Sequence, residues 1–111
     1  MERVVSSRTL YRGKILDLRL DEVLISSGRR VRKEIVVHPG ASAILPIIEP
    51  RKILMVRQYR HPVGEVLMEI PAGTLKSGED PMACATRELE EETGYRAGKL
   101  AHLATIYPAP G

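Results

Sequence analysis

Asp80-Pro81 and Gly94 bracket the one long stretch of this chain that reads as helix, and that bracket constrains the fold more than any other feature. Asp80 suits an N-cap, Pro81 suits the first helical position, and Gly94 suits the residue just past the end. Elsewhere Gly and Pro cut the chain into strand-length pieces. "KILDLRLDEVLI" (14–25) alternates in its first half, "SSG" (26–28) signals a turn, and "RVRKEIVVH" (30–38) resumes the alternation. Residues 14–37 are therefore expected to form an antiparallel β-hairpin, broken by "PG" at 39–40. "SAILPII" (42–48), "ILMVRQY" (53–59), "EVLMEI" (65–70) and "KLAHLATIY" (99–107) read as further strands, with Pro46 placing the first near an edge or bulge and "PAG" (71–73) ending the third. The pattern is α/β, with a hairpin segment at 1–40 and a main domain at 41–111.

With 111 residues, 43% hydrophobic and 28% charged, the chain has the composition of one globular domain. No apolar run approaches the roughly 18 residues of a membrane span, and "MERVVSSRTLYRGK" lacks the apolar centre of a signal peptide. The single cysteine, Cys84, has no partner for an internal disulfide and no nearby Cys or His for zinc. A cytoplasmic location is expected. The net charge of +3 is uneven: residues 1–60 hold 13 of the 17 basic groups and 6 of the 14 acidic ones. The basic residues are dispersed, and no Phe or Trp is present to stack on bases, so neither nucleic acid nor membrane is an expected partner.

The helical stretch carries "RELEEETGY" at 87–95. At about 100° per residue, Glu88, Glu91 and Glu92 share a sector of the helix, and Glu90 points the other way. Met82, Ala85 and Leu89 form an apolar stripe beside the acids. Like charges at these spacings cost roughly 0.2–0.5 kcal/mol each, and the helix dipole disfavours anions in its last turns. Arg87 can pair with Glu91 but cannot neutralise three carboxylates. A hard divalent cation such as Mg²⁺ or Mn²⁺ can. The competing reading is a solvated acidic face.

The flanking residues bear on that choice. Gly73, five residues, Glu79, seven residues, then Arg87-Glu88-Leu89-Glu90-Glu91-Glu92-Thr93-Gly94-Tyr95 resembles the Nudix box, G-x5-E-x7-R-E-U-x-E-E-x-G-U, at all seven fixed positions. At ordinary residue usage such a match arises by chance on the order of once in 10⁸ to 10⁹ starts. "EIPAG" (69–73), "VRQYRHP" (56–62), "GRRVRKEIVVHPGA" (28–41) and "YPAPG" (107–111) resemble the ADP-ribose pyrophosphatase branch, in which a proline lies some fifteen residues past the box, as Pro110 does after Tyr95.

The resemblance implies a Nudix-type α/β/α sandwich with a mixed sheet, preceded by the N-terminal hairpin. It implies divalent metals, two or more, held by Glu88, Glu91, Glu92 and the carbonyl of Ala72. Glu79 and Arg87 would brace the loop against the helix. Arg60, Glu69, Glu34 and Pro110 are the residues it assigns to substrate. The implied reaction is hydrolysis of a nucleoside diphosphate sugar, ADP-ribose to AMP and ribose 5-phosphate, by a homodimer joined through its N-terminal strands. His38, His61 and His102 are read as loop or surface histidines.

The sandwich of that branch needs strands and a helix beyond Gly111, where a glutamate commonly serves as general base. The chain is therefore expected to be a fragment; otherwise the base role falls to Glu91. GDP-mannose or another diphosphate-linked substrate is an alternative within the same class. A Nudix-fold module that binds ADP-ribose or a nucleotide without cleaving it is an alternative from another class, and retention of every box glutamate argues against it. A Ca²⁺-binding acidic helix is a third class, disfavoured because the spaced loop carboxylates of an EF-hand are missing.

Overall fold

The computed structural model describes residues 1–111, which divide into two compact units, Met1–Pro39 and Gly40–Gly111. The first unit is a three-stranded antiparallel sheet in the order β1 (Arg3–Arg12), β2 (Asp17–Leu24), β3 (Arg30–Val37). The β2–β3 hairpin runs in unbroken register from Asp17 opposite Val37 to Leu24 opposite Arg30. Strand β1 was not expected. Its pairing with β2 shifts register between Val4 and Ser6 and again between Thr9 and Tyr11. Each shift inverts the side-chain alternation, so no period of two survives in "RVVSSRTLYR", and every one of its residues is exposed.

In the second unit β4 (Ala41–Ala43) pairs with β9 (Ala72–Thr74), β5 (Ile47–Glu49) with β6 (Lys52–Ile53), and β7 (Val56–Arg60) with β8 (Glu65–Glu69). All these pairs are antiparallel. The expected strand at 42–48 is two strands, because the chain leaves one ladder at Ile44 and joins another at Ile47. Pro46 has no N–H to give, and its carbonyl instead accepts from Leu54 N–H at 3.0 Å. The expected strand at 53–59 divides likewise, around Leu54 and Met55. The expected strand at 99–107 does not form. Its residues find no neighbouring strand to satisfy their backbone groups, and Leu103, Ile106 and Tyr107 stay largely exposed.

Helix α1 (Pro81–Thr93) has the expected bounds. Asp80 accepts from the N–H groups of Met82 and Ala83 at 3.0 and 3.1 Å. Gly94, at φ 76°, sends its N–H to the carbonyl of Glu90 at 2.9 Å. The buried stripe differs from the expected one. Cys84, Ala85 and Leu89 are inside, whereas Met82 is 36% exposed. The helix turns towards Cys84, which lies on the Glu88 side of Ala85, and this brings its acidic sector round to the strands. Ile44, Ala85 and Leu89 form the core of this unit, with Ala97 and Leu100 packed against it.

Candidate functional site

Strand β9, the loop after it and one face of α1 meet at Gly73. In the ladder Gly73 lies opposite Ser42, and the Ser42 hydroxyl donates to the carbonyl of Pro81 at 2.7 Å, tying β4 to the first turn of the helix. The Glu88 carboxylate packs directly on the Gly73 backbone. A Cβ at position 73 would overlap its Cδ and both of its oxygens, so only glycine leaves it room there. Cys84, fully buried, directs its thiol at the Gly73 carbonyl at 3.5 Å.

Arg87 is the hub of the charged groups. Its Nε and Nη2 grip Glu79 at 2.9 and 2.8 Å, and Nη2 also approaches the Thr74 carbonyl at 3.3 Å. Its Nη1 serves two further carboxylates, Glu88 at 2.6 Å and Glu91 at 3.1 Å. Glu79 and Glu88 are mostly covered, while the Glu91 side chain is 57% exposed. The Arg87 guanidinium, helped by the Lys76 backbone N–H, holds the Glu79 carboxyl down from its ordinary 4.5 to about 2. The hydrogen bonds to Glu79 and Glu88 raise Arg87 further above its already high value.

Glu92, one helical turn past Glu88, reaches back to β9 and accepts from the Ala72 N–H at 3.3 Å. Glu88 and Glu92 thus face the 72–74 segment, and Glu91 is linked to it only through Arg87. No three acidic, Cys or His side chains stand close enough together to hold an ion as they are arranged. Arg87 and the Ala72 N–H occupy the positions a cation would compete for. The donor chemistry nevertheless fits a hard divalent ion. Carboxylate oxygens and a loop carbonyl are its usual ligands, glycine keeps the backbone close, and one guanidinium facing three carboxylates leaves negative charge in excess. Glu90 lies apart from this group and makes only a loose 3.5 Å contact with Arg96.

Arg60 and Glu69 are brought together, but with each other. Arg60 Nε lies 3.0 Å from both Glu69 oxygens, and Nη2 lies 2.7 Å from one of them. Glu69 raises the Arg60 pKa, with a smaller contribution from the charge of Glu92, and Arg60 lowers that of Glu69. Glu34 is exposed on β3, opposite Leu20, in the first unit. Pro110 lies exposed in the irregular tail. Two contributors were missed from sequence, Ser42 and Cys84. Ser42 acts on a residue 39 positions away, for which no local signal exists. Cys84 carried one signal, its residue type, since free cysteine is among the side chains most often buried.

Strand β9, the loop after it and α1 form a strand–loop–helix unit that sets carboxylates against a glycine. Residues 37–110 match the NUDIX domain family, and the chain belongs to it. It is 44% identical over 110 residues to an ADP-ribose pyrophosphatase of Bacillus subtilis (strain 168), covering 99% of this chain and 60% of that protein. It is 42% identical over 110 residues to a methanol dehydrogenase activator of Bacillus methanolicus, with the same coverage. A crystal structure of an ADP compounds hydrolase superposes with a TM-score of 0.83 at 25% identity, over 98% of this chain and 60% of the other. The fold is therefore the α/β NUDIX one, and the chain resembles the ADP-ribose pyrophosphatase branch. It spans about 60% of the length of these relatives.

Proposed function

We propose that the protein hydrolyses the diphosphate of a nucleoside diphosphate sugar, ADP-ribose first among them, to AMP and ribose 5-phosphate, with Mg²⁺ or Mn²⁺ as cofactor. The observation that carries this reading is that Glu88 lies on the Gly73 backbone and Glu92 on the Ala72 N–H, with Glu91 joined to them through Arg87 and the whole braced by the Glu79–Arg87 pair. Glu88, Glu91, Glu92 and the Ala72 carbonyl would hold two or more divalent ions. A bound ion supplies neutralisation of the diphosphate charge and a more acidic water.

The chain's own residues do the rest. Gly73 lets the loop backbone come close. Arg87, anchored on Glu79, keeps the loop and the helix in one geometry. Arg60 presents a planar fork suited to phosphate oxygens, and an anionic substrate would compete with Glu69 for it. Glu91, its side chain 57% exposed, is open to water and takes the general-base role in this reading. Glu34 and Pro110 complete the substrate assignments. A cytoplasmic homodimer joined through the first unit is the assembly we propose.

The test is to incubate the whole protein with Mg²⁺ and ADP-ribose, GDP-mannose, NADH, diadenosine polyphosphates and 8-oxo-dGTP, and to identify the products. AMP and ribose 5-phosphate from ADP-ribose, abolished by chelator, is the expected result. Turnover of GDP-mannose alone moves the substrate within the class. Tight ADP-ribose binding with no turnover of any compound makes the protein a sensor.

A further inference from the structure

We infer that Arg87 is the internal counter-cation of the carboxylate cluster: its Nη1 edge holds Glu88 and Glu91 in the metal-free protein and surrenders them to a divalent ion, while its Nε–Nη2 edge stays locked on Glu79. The inference rests on the divalent-ion reading above. It comes from the division of labour on one guanidinium. The Glu79 side is bidentate, at 2.9 and 2.8 Å, and Nη2 there also approaches the Thr74 carbonyl at 3.3 Å. The opposite side is a single nitrogen shared between two carboxylates. A shared donor satisfies each acceptor less well than a dedicated one. One positive charge also leaves the pair under-compensated.

The state of the three acids follows. They are not gathered around a common point; each is held by something else, Glu88 and Glu91 by Nη1 and Glu92 by the Ala72 N–H. An ion that takes all three must displace these contacts. It need not disturb Glu79, which reaches the hub from the loop before the helix. Arg87 therefore prevents the acids from repelling one another apart before the ion arrives. It also sets how strongly the ion must bind to replace it. The Glu79 anchor confines the exchange to one edge of the guanidinium, so the loop does not loosen as the ion enters.

Two measurements on the whole protein test this, with Mg²⁺ alone as the probe. In arginine side-chain NMR, Mg²⁺ is expected to shift the Arg87 Nη1 resonance and speed its hydrogen exchange, leaving the Nε–H shift and protection unchanged. Mg²⁺ binding that leaves Nη1 untouched, or that releases Nε along with it, overturns the inference while the cation reading stands. In the second measurement Arg87→Gln is compared with the native protein by thermal melting with and without Mg²⁺. The Mg²⁺-induced rise in Tm is expected to be several degrees larger in Arg87→Gln, because the ion replaces the lost countercharge. An equal or smaller rise overturns the inference. Absence of any Mg²⁺ effect on native Tm and on all side-chain signals overturns the cation reading itself, and the inference falls with it.

Discussion

Two guanidinium–carboxylate centres, Asp21 with Arg19 in the first compact unit and the Arg87 cluster in the second, balance charge in opposite ways. In the first unit Asp21, 4% exposed, is served by the Ser7 hydroxyl at 2.7 Å and by Arg19 Nε and Nη2 at 2.8 and 2.9 Å. One acid meets one base and a neutral donor. Its carboxyl is held below the ordinary value, first by Arg19 and then by Ser7. In the second unit one base meets three acids. The Asp21 centre is closed, with its charge matched and its oxygens occupied. The Arg87 centre keeps an uncompensated field. The same pair of side-chain types is thus a matched strut in one place and an acid-rich cluster in the other, and stoichiometry makes the difference.

The comparison predicts where a lost charge costs function and where it costs only stability. The largest effect is expected from Glu92→Gln. The amide oxygen can still accept from the Ala72 N–H, so the fold should persist, while hydrolysis falls at least about a hundredfold. A steady-state rate within about tenfold of native would remove Glu92 from the site. Next comes Gly73→Ala. The new methyl meets only the flexible end of Glu88, so Tm should fall by only a few degrees. Displacing that carboxylate should weaken Mg²⁺ binding by about tenfold, as measured by titration calorimetry. Unchanged Mg²⁺ affinity would mean that the Glu88–Gly73 contact is mere packing.

Asp21→Asn is expected to do the reverse. Arg19 loses its counter-charge, so Tm should fall by several degrees while the rate and the Mg²⁺ response are preserved. A loss of rate would make the first centre functional and dissolve the contrast.

The smallest effect concerns acid. Glu79 has its carboxyl depressed from 4.5 to about 2 in the folded chain. Its ion pair therefore stabilises fully above about pH 4.5, and that contribution is lost as the pH falls towards 2. Glu79→Gln should be less stable than native at neutral pH, with the gap in Tm closing across that window. A gap that is constant with pH would show that the pair adds nothing through its charge.

Local rules served the helix best. Asp80, Pro81 and Gly94 act on backbone groups within four residues of themselves, so its ends were legible one residue at a time. The shared sector of Glu88, Glu91 and Glu92 followed from the turn angle alone. Strand breaks were less legible. Whether "SAILPII" is one strand or two depends on which ladders lie beside Ile44 and Ile47, and those neighbours come from residues 71–74 and 52–54. Strand β1 was hidden because its bulges erase the alternation that reveals a strand. Substrate assignments taken from the family gave no warning that Arg60 and Glu69 hold each other.

By itself the sequence determined the helix, the hairpin of β2 and β3, and the spacing that places the chain in its family, because each depends on contacts within a turn or a hairpin. Only the tertiary structure decided that Glu88 lies on Gly73, that Glu92 reaches the Ala72 N–H, and that a single Arg87 nitrogen is divided between two acids. Those contacts join an edge strand to a helix across a loop. Their geometry depends on how the helix rotates to bury Cys84, Ala85 and Leu89, and packing sets that rotation, not the order of residues along the helix.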